Sequence, residues 1–269
     1  MDFIHLHVHS QYSFLDGASS LDSLLEKAKQ LGMSAIALTD HNRLTGAVRF
    51  YEKAKALGIK PIIGAELNTE RGYHLTLLCK DRQGYSNLCR LLTESHLANR
   101  GKEPEATREM LDKFSCGLVA LSGCSKGEIP SLVSQGKIEE AREASLFYRE
   151  IFGGEFFVEL IRYPSREGMS ESYKLVSFAN EEGIPVVATN NVHYAKTESY
   201  RIKELLNAID QNTPVSQLQG HRTVEQYLKS PIEMRSLFRD IPVQETGFSG
   251  FIDFTLANQR RDFTLTASG

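Results

Sequence analysis

The sequence has few cysteines and no paired ones. Cys79, Cys89, Cys116 and Cys124 form no CxxC pair and no even framework, so reduced thiols in the cytoplasm are expected. It has no excess of positive charge. The formal net charge of −3 carries no signature of a global nucleic-acid-binding surface, although a local basic groove stays compatible with it. It has no apolar run long enough to span a bilayer, so no membrane association is expected. No charged leader precedes an apolar segment at Met1-Asp2-Phe3-Ile4-His5, so no secretory signal is expected.

What is there is ordinary for a globular protein: 269 residues, 41% hydrophobic and 24% charged. That length suits one large α/β domain with an ample core. Short β-rich runs at 3–8, 34–39, 60–67, 73–79, 117–122, 155–160 and 185–190 alternate with helical patterns, and several runs are almost wholly apolar, as strands covered on both faces are. Helical periodicity is clear over 20–31, 46–57, 139–152, 169–182 and 198–210. In the first, Leu21, Leu24, Leu25, Ala28 and Leu31 share a face and Gly32 stops the helix. The device of helix end, glycine and strand recurs around Gly58 and Gly183, the rhythm of a parallel barrel or doubly wound sheet. One connection breaks it: Asn68-Thr69-Glu70-Arg71-Gly72 is too short for a crossover helix, so the third and fourth strands are expected to form an antiparallel hairpin. The regular pattern fades after about Asp240. We expect an α/β barrel over 1–240 and a tail of uncertain order over 241–269.

Chemistry concentrates at strand ends. In His5-Leu6-His7-Val8-His9 the alternation of a strand puts all three histidines on one face, and an i, i+2 histidine pair chelates zinc, manganese or iron well. Thr39-Asp40-His41 ends an apolar strand where barrel enzymes keep catalytic residues. Asp40 is expected to bind metal or to hold a histidine in its tautomer; the bland alternative is a helix cap. Glu66 interrupts the apolar run Ile62-Ile63-Gly64-Ala65, which is expensive unless the carboxylate is paired or metal-bound. The hairpin would set His74 beside it. Cys124 follows a strand and is either a small buried hydrophobe or a thiolate ligand. Asn191 and His193 repeat the i, i+2 spacing after the last strand. His96 and His221 read as surface or packing residues.

In order along the chain, His5-Leu6-His7-Val8-His9-Ser10, Tyr12-Ser13-Phe14-Leu15-Asp16-Gly17, Ala37-Leu38-Thr39-Asp40-His41, Gly58 to Glu66, Leu121-Ser122-Gly123-Cys124 and Ala188 to Tyr194 resemble the polymerase and histidinol phosphatase (PHP) domain. Within it, they are most similar to the domain that opens bacterial DNA polymerase III alpha-type subunits, replicative or error-prone. Tyr227 to Met234 resembles the stretch that leaves this domain. The resemblance covers roughly 1–240. It implies a distorted seven-stranded (β/α) barrel with two or three divalent ions (zinc, manganese or iron). The ligands it implies are His7, His9, Asp16, His41, Glu66, His74, Cys124, Asn191 and His193. Glu66 would bridge ions and act in catalysis, with Asp40 beside it. The implied activity is metal-dependent phosphoester hydrolysis of the 3′–5′ exonuclease type. The implied partners are DNA or another phosphoester substrate, the remaining polymerase domains and replisome subunits. Two features depart from the family. Asn191 stands where an aspartate is common, and no polymerase palm is visible, so the chain alone is not expected to extend primers. The rival readings are a non-catalytic metal-binding brace and a metal-dependent amidohydrolase.

Overall fold

The computed structural model describes residues 3–218 and 224–241. Its centre is a curled mixed sheet of six strands in sequential order: β1 (Ala35–Leu38), β2 (Lys60–Asn68), β3 (His74–Cys79), β4 (Leu118–Leu121), β5 (Phe156–Ile161) and β6 (Val186–Thr189). β1 and β2 pair in parallel, as do β4–β5 and β5–β6, whereas β3 runs antiparallel to both its neighbours. The expected hairpin is present, with Asn68 opposite His74 and Glu66 opposite Thr76.

Nine α-helices are described: α1 (Leu21–Gln30), α2 (Ala47–Ala56), α3 (Arg82–Ala98), α4 (Arg108–Phe114), α5 (Glu128–Ser134), α6 (Ile138–Phe152), α7 (Arg166–Glu181), α8 (Tyr200–Asp210) and α9 (Pro231–Leu237). The five helices expected from periodicity are all there. Ser20 caps α1 by accepting from the Ser23 amide, and Leu21, Leu24, Leu25 and Ala28 are its buried stripe. The glycine stops hold as well, with Gly32 at φ 71° and Gly58 at φ 74°. The 17-residue α3 was not among the expected helices; Asp81 caps it through the Gly84 amide, and it packs Leu88, Leu91 and Leu92 into the core. None of the helices is long and apolar enough to cross a membrane.

Among the described residues six strands are found where seven were expected. Residues 3–8 form no ladder, only a bridge from Val8 to Val192. The reason lies in the spacing. His5 O accepts from Ala37 N and Val8 O from Thr39 N, so three residues of this segment span two of β1, and the extra residue breaks the pleat. On its other side Val192 N donates to His7 O and His9 N to Val192 O. The segment is thus hydrogen-bonded both to β1 and to the chain leaving β6. His221 and the tail from 242 onward lie outside the described residues.

Candidate metal centre

The strand register builds the site. The parallel register of β1 and β2 continues three residues past Leu38 and Ile63 to a bridge between His41 and Glu66, with Glu66 N on Thr39 O and Asn42 N on Glu66 O. The β2–β3 hairpin brings His74 to the other side of Glu66. The segment 3–9 inserts His7 and His9 from below. The result is a buried carboxylate ringed by four imidazoles. Glu66 Oε1 lies 3.3 Å from His7 Nε2 and 3.0 Å from His74 Nδ1. Glu66 Oε2 lies 3.5 Å from His9 Nε2 and 2.9 Å from His41 Nδ1. A second carboxylate, Asp16, lies 3.0 Å from His193 Nε2 and 4.0 Å from His9 Nδ1, and also pairs with Lys203 on α8. Three overlapping groups therefore have donor atoms close enough to share an ion: His7, His9 and Glu66; His9, Asp16 and His193; His41, Glu66 and His74.

The outer nitrogens decide how the rings face. His7 Nδ1 donates to Glu159 at 2.7 Å, and His193 Nδ1 donates to the Asn191 carbonyl at 2.9 Å. His41 Nε2 donates to Asn68 Oδ1 at 2.9 Å. Ser13 Oγ gives its proton to Asp40, so it accepts from His9 Nδ1 at 3.0 Å. Each outer partner is an acceptor, which fixes the tautomer of the neutral ring and turns the opposite lone pair toward the carboxylates. Lone pairs facing carboxylate oxygens repel unless a metal ion lies between them or the ring takes up a second proton, as His7 does when no metal is bound.

The electrostatics bear the same mark. Burial opposes protonation of His7, but the Glu159 and Glu66 carboxylates outweigh it and raise its pKa to about 10. Burial and the neighbouring His193 hold His9 well below its ordinary value. Burial opposes the charge on Glu66, yet His7 and His74 keep its pKa well below the usual carboxylate range. Asp16 is likewise held low against its burial by His193, His9 and Lys203.

Most of the expected site residues are brought together, with three qualifications. Asp40 stands behind the cluster. Its oxygens accept from Ser10 N at 2.7 Å, Ser10 Oγ at 2.8 Å and Ser13 Oγ at 2.8 Å, so it steadies Ser13 and through it His9 rather than meeting the imidazoles. Cys124 is 3.5 Å from His74 Nδ1 but joins none of the three groups, and burial pushes its thiol pKa well up. His5 shares the face of His7 and His9 only in sequence: a residue four along an extended chain is about 13 Å away, and its Nε2 donates to the Lys229 carbonyl at 2.9 Å. Burial lowers its pKa to about 4, and the Lys229 charge lowers it too. Asn191 is buried with a left-handed φ of 45°, and its Oδ1 has no hydrogen-bond partner. His96, expected as a surface or packing residue, is exposed and donates to the Asn42 carbonyl at 2.8 Å, bracing the loop that carries His41.

Glu159 went unnoticed in the sequence. It lies fully buried in β5, on His7 and on the hydroxyls of Thr189 and Thr76. Its signal was the one that exposed Glu66: a carboxylate inside the apolar run Phe156-Phe157-Val158-Glu159-Leu160. Ser13, Asn68 and Lys203 carried no such signal, because their roles depend on loops and a helix meeting in space.

The PHP domain family model matches residues 5–163, more than half the chain; the match takes in Glu66, the four imidazoles around it and Asp16, while Asn191 and His193 lie beyond it. The chain belongs to the PHP domain family. Among curated relatives, an error-prone DNA polymerase of Symbiobacterium thermophilum is 42% identical over 90% of this chain, and a DNA polymerase III subunit alpha of Thermus aquaticus is 38% identical over 93%. The chain spans under a quarter of the length of either, 24% and 22% respectively. Among solved structures, an amidohydrolase from Chromobacterium violaceum superposes with a TM-score of 0.51 at 15% identity, covering 71% of this chain and 87% of that one; the likeness is one of fold.

Proposed function

We propose that this PHP domain is a metal-dependent phosphoesterase whose ions are held by His7, His9, Asp16, His41, Glu66, His74, Asn191 and His193, with Cys124 at the margin. The observation that carries the reading is the convergence of imidazole nitrogens on two carboxylates, buried Glu66 and half-buried Asp16, an arrangement that suits a divalent cation. Two orphaned acceptors agree with it: Glu66 Oε1 and Asn191 Oδ1 are buried and make no hydrogen bond. Nitrogen and oxygen donors of this kind fit zinc, manganese or iron.

Divalent ions bound there would polarise a phosphoryl oxygen and lower the pKa of a bound water. The chain's own residues do the rest. Glu159, Ser13, Asn68 and the Asn191 carbonyl hold the rings in orientation. Glu66, placed between the groups, offers one oxygen to each side. Lys203 neutralises part of Asp16, whose side chain is 33% exposed and is the most open of the set. By analogy with the relatives, the substrate is a nucleic-acid phosphodiester cut in the 3′–5′ direction, and the partners are the other domains of a polymerase and its replisome.

A second reading, a metal-binding brace without catalysis, draws on Asn191, which brings an oxygen but no charge. The amidohydrolase reading lacks its lysine: the buried lysines among the described residues, Lys203 and Lys229, lie on α8 and in a loop rather than on a strand.

The test is elemental analysis of the purified chain. At least one equivalent of zinc, manganese or iron is expected, falling in the double variant His7→Ala/His9→Ala together with thermal stability, since bound ligand stabilises the folded state. A chain that takes up none of the three ions on reconstitution would contradict the reading.

A further inference from the structure

Among the described residues the cluster is most open at Asp16 and His41. His7 and His9 are fully buried, and Glu66 and His193 nearly so, whereas Asp16 and His41 keep 33% and 23% of their side chains exposed. The mouth therefore lies between the loop 10–17 and the loop 40–43. Phe14 stands on the first of these, two residues from Asp16, and is 73% exposed.

The turn that displays this ring is held at both ends by the site itself. Ser13 is tied to His9, Asp40 and the His41 amide; Asp16 is tied to His193 and Lys203. Asp16 N and Gly17 N both bond to Ser13 O, at 3.0 and 2.9 Å. Between them Leu15 adopts φ 59°, a left-handed conformation that a branched apolar residue rarely takes. Such strain persists only where surrounding contacts enforce it, and is common at ligand clamps. Two exposed basic residues are tied to the histidine-bearing segments. Exposed Arg43 donates from Nε to the His41 carbonyl at 3.3 Å, and exposed Lys126, two residues beyond Cys124, accepts the His74 amide on its carbonyl.

We propose that Phe14 is the platform on which the substrate stacks an unpaired nucleobase, while Arg43 and Lys126 draw its phosphates toward the cluster. A fixed aromatic face beside basic side chains is how proteins hold single strands without reading sequence. Bases in a duplex are already stacked, so the platform selects a single-stranded or frayed end. The inference rests on the phosphoesterase reading for its direction but not for its measurement.

The experiment compares a fluorescein-labelled oligothymidylate with an abasic oligomer of equal length, on the full metal-reconstituted chain, by fluorescence anisotropy and by hydrolysis. Stacking of one base is worth roughly 5- to 150-fold by alanine substitution. The wild type should favour the base-bearing strand by about 10-fold in Kd and KM. Phe14→Ala and the size-conserving Phe14→Leu should erase that preference in Kd and KM with little change in the ratio of kcat values; Phe14→Trp should keep it. An equal preference in Phe14→Ala, no preference in the wild type, or no binding of either strand overturns the proposal. A Phe14-dependent preference in anisotropy without cleavage of either strand sustains the platform and rejects hydrolysis.

Discussion

A single buried carboxylate, Glu159, decides how His7 meets the cluster. Its oxygen at 2.7 Å from Nδ1 leaves Nε2 aimed at Glu66 and His9. Replacing it with glutamine keeps the shape and removes the charge that orients and enriches the ring. Such outer partners are worth roughly 10- to 100-fold in metal affinity, so Glu159→Gln should weaken metal binding by that much in competition with a chelator. Unchanged affinity would mean that packing alone orients His7. The same carboxylates set a pH dependence. With its pKa raised to about 10, His7 is protonated at neutral pH in the metal-free chain. Its contribution to stability is fully present below the ordinary histidine value near 6.5 and is lost as pH rises through about 10. Metal must displace that proton. Uptake at pH 7 should release protons, visible as a calorimetric heat that changes with the buffer's ionisation enthalpy, and apparent affinity should climb with pH. Buffer-independent heats would show His7 neutral before metal arrives.

At the scale of elements, the sequence was legible where periodicity is local. The apolar stripes of α1, α2, α6, α7 and α8 mark helices by spacing alone, and the five-residue link after Asn68 forces the hairpin that sets Glu66 beside His74. The segment 3–8 was misjudged because the alternating pattern of His5 to His9 is that of a strand. The extra residue that breaks its ladder shows only against the hydrogen bonds to Ala37 and Thr39. For Asp40 the sequence left two roles open, because a carboxylate at a strand end looks alike whether it faces the site or the loop behind it; here it holds Ser13, and through it His9. That loop, 10–17, closes tightly. A Cβ on Gly17 would stand 1.8 Å from the Ser10 carbonyl oxygen. Gly17→Ala should therefore push the loop open, lowering stability by about 1–3 kcal/mol and loosening the group containing Asp16, His9 and His193. Denaturant midpoints and metal stoichiometry would report both; a variant normal in each would show that the loop shifts without strain.

Over the whole molecule, the curled sheet gathers ligand-type residues from six separate stretches of chain onto one end, and the homologous polymerases carry this fold as less than a quarter of their length. The charge inventory is what separates enzyme from brace. Ions crowded within a few ångströms repel, and each carboxylate among their ligands lessens that repulsion; Asn191, in the proposed ligand set, would supply an oxygen without helping. The most direct measurement is phosphodiester hydrolysis followed as metal-free chain is titrated with manganese or zinc, in the wild type and in Asn191→Asp. The account predicts turnover that rises in step with bound metal, is absent in His7→Ala/His9→Ala, and increases in Asn191→Asp as occupancy improves. Full occupancy with no hydrolysis in either form would contradict it and leave the cluster as a structural brace.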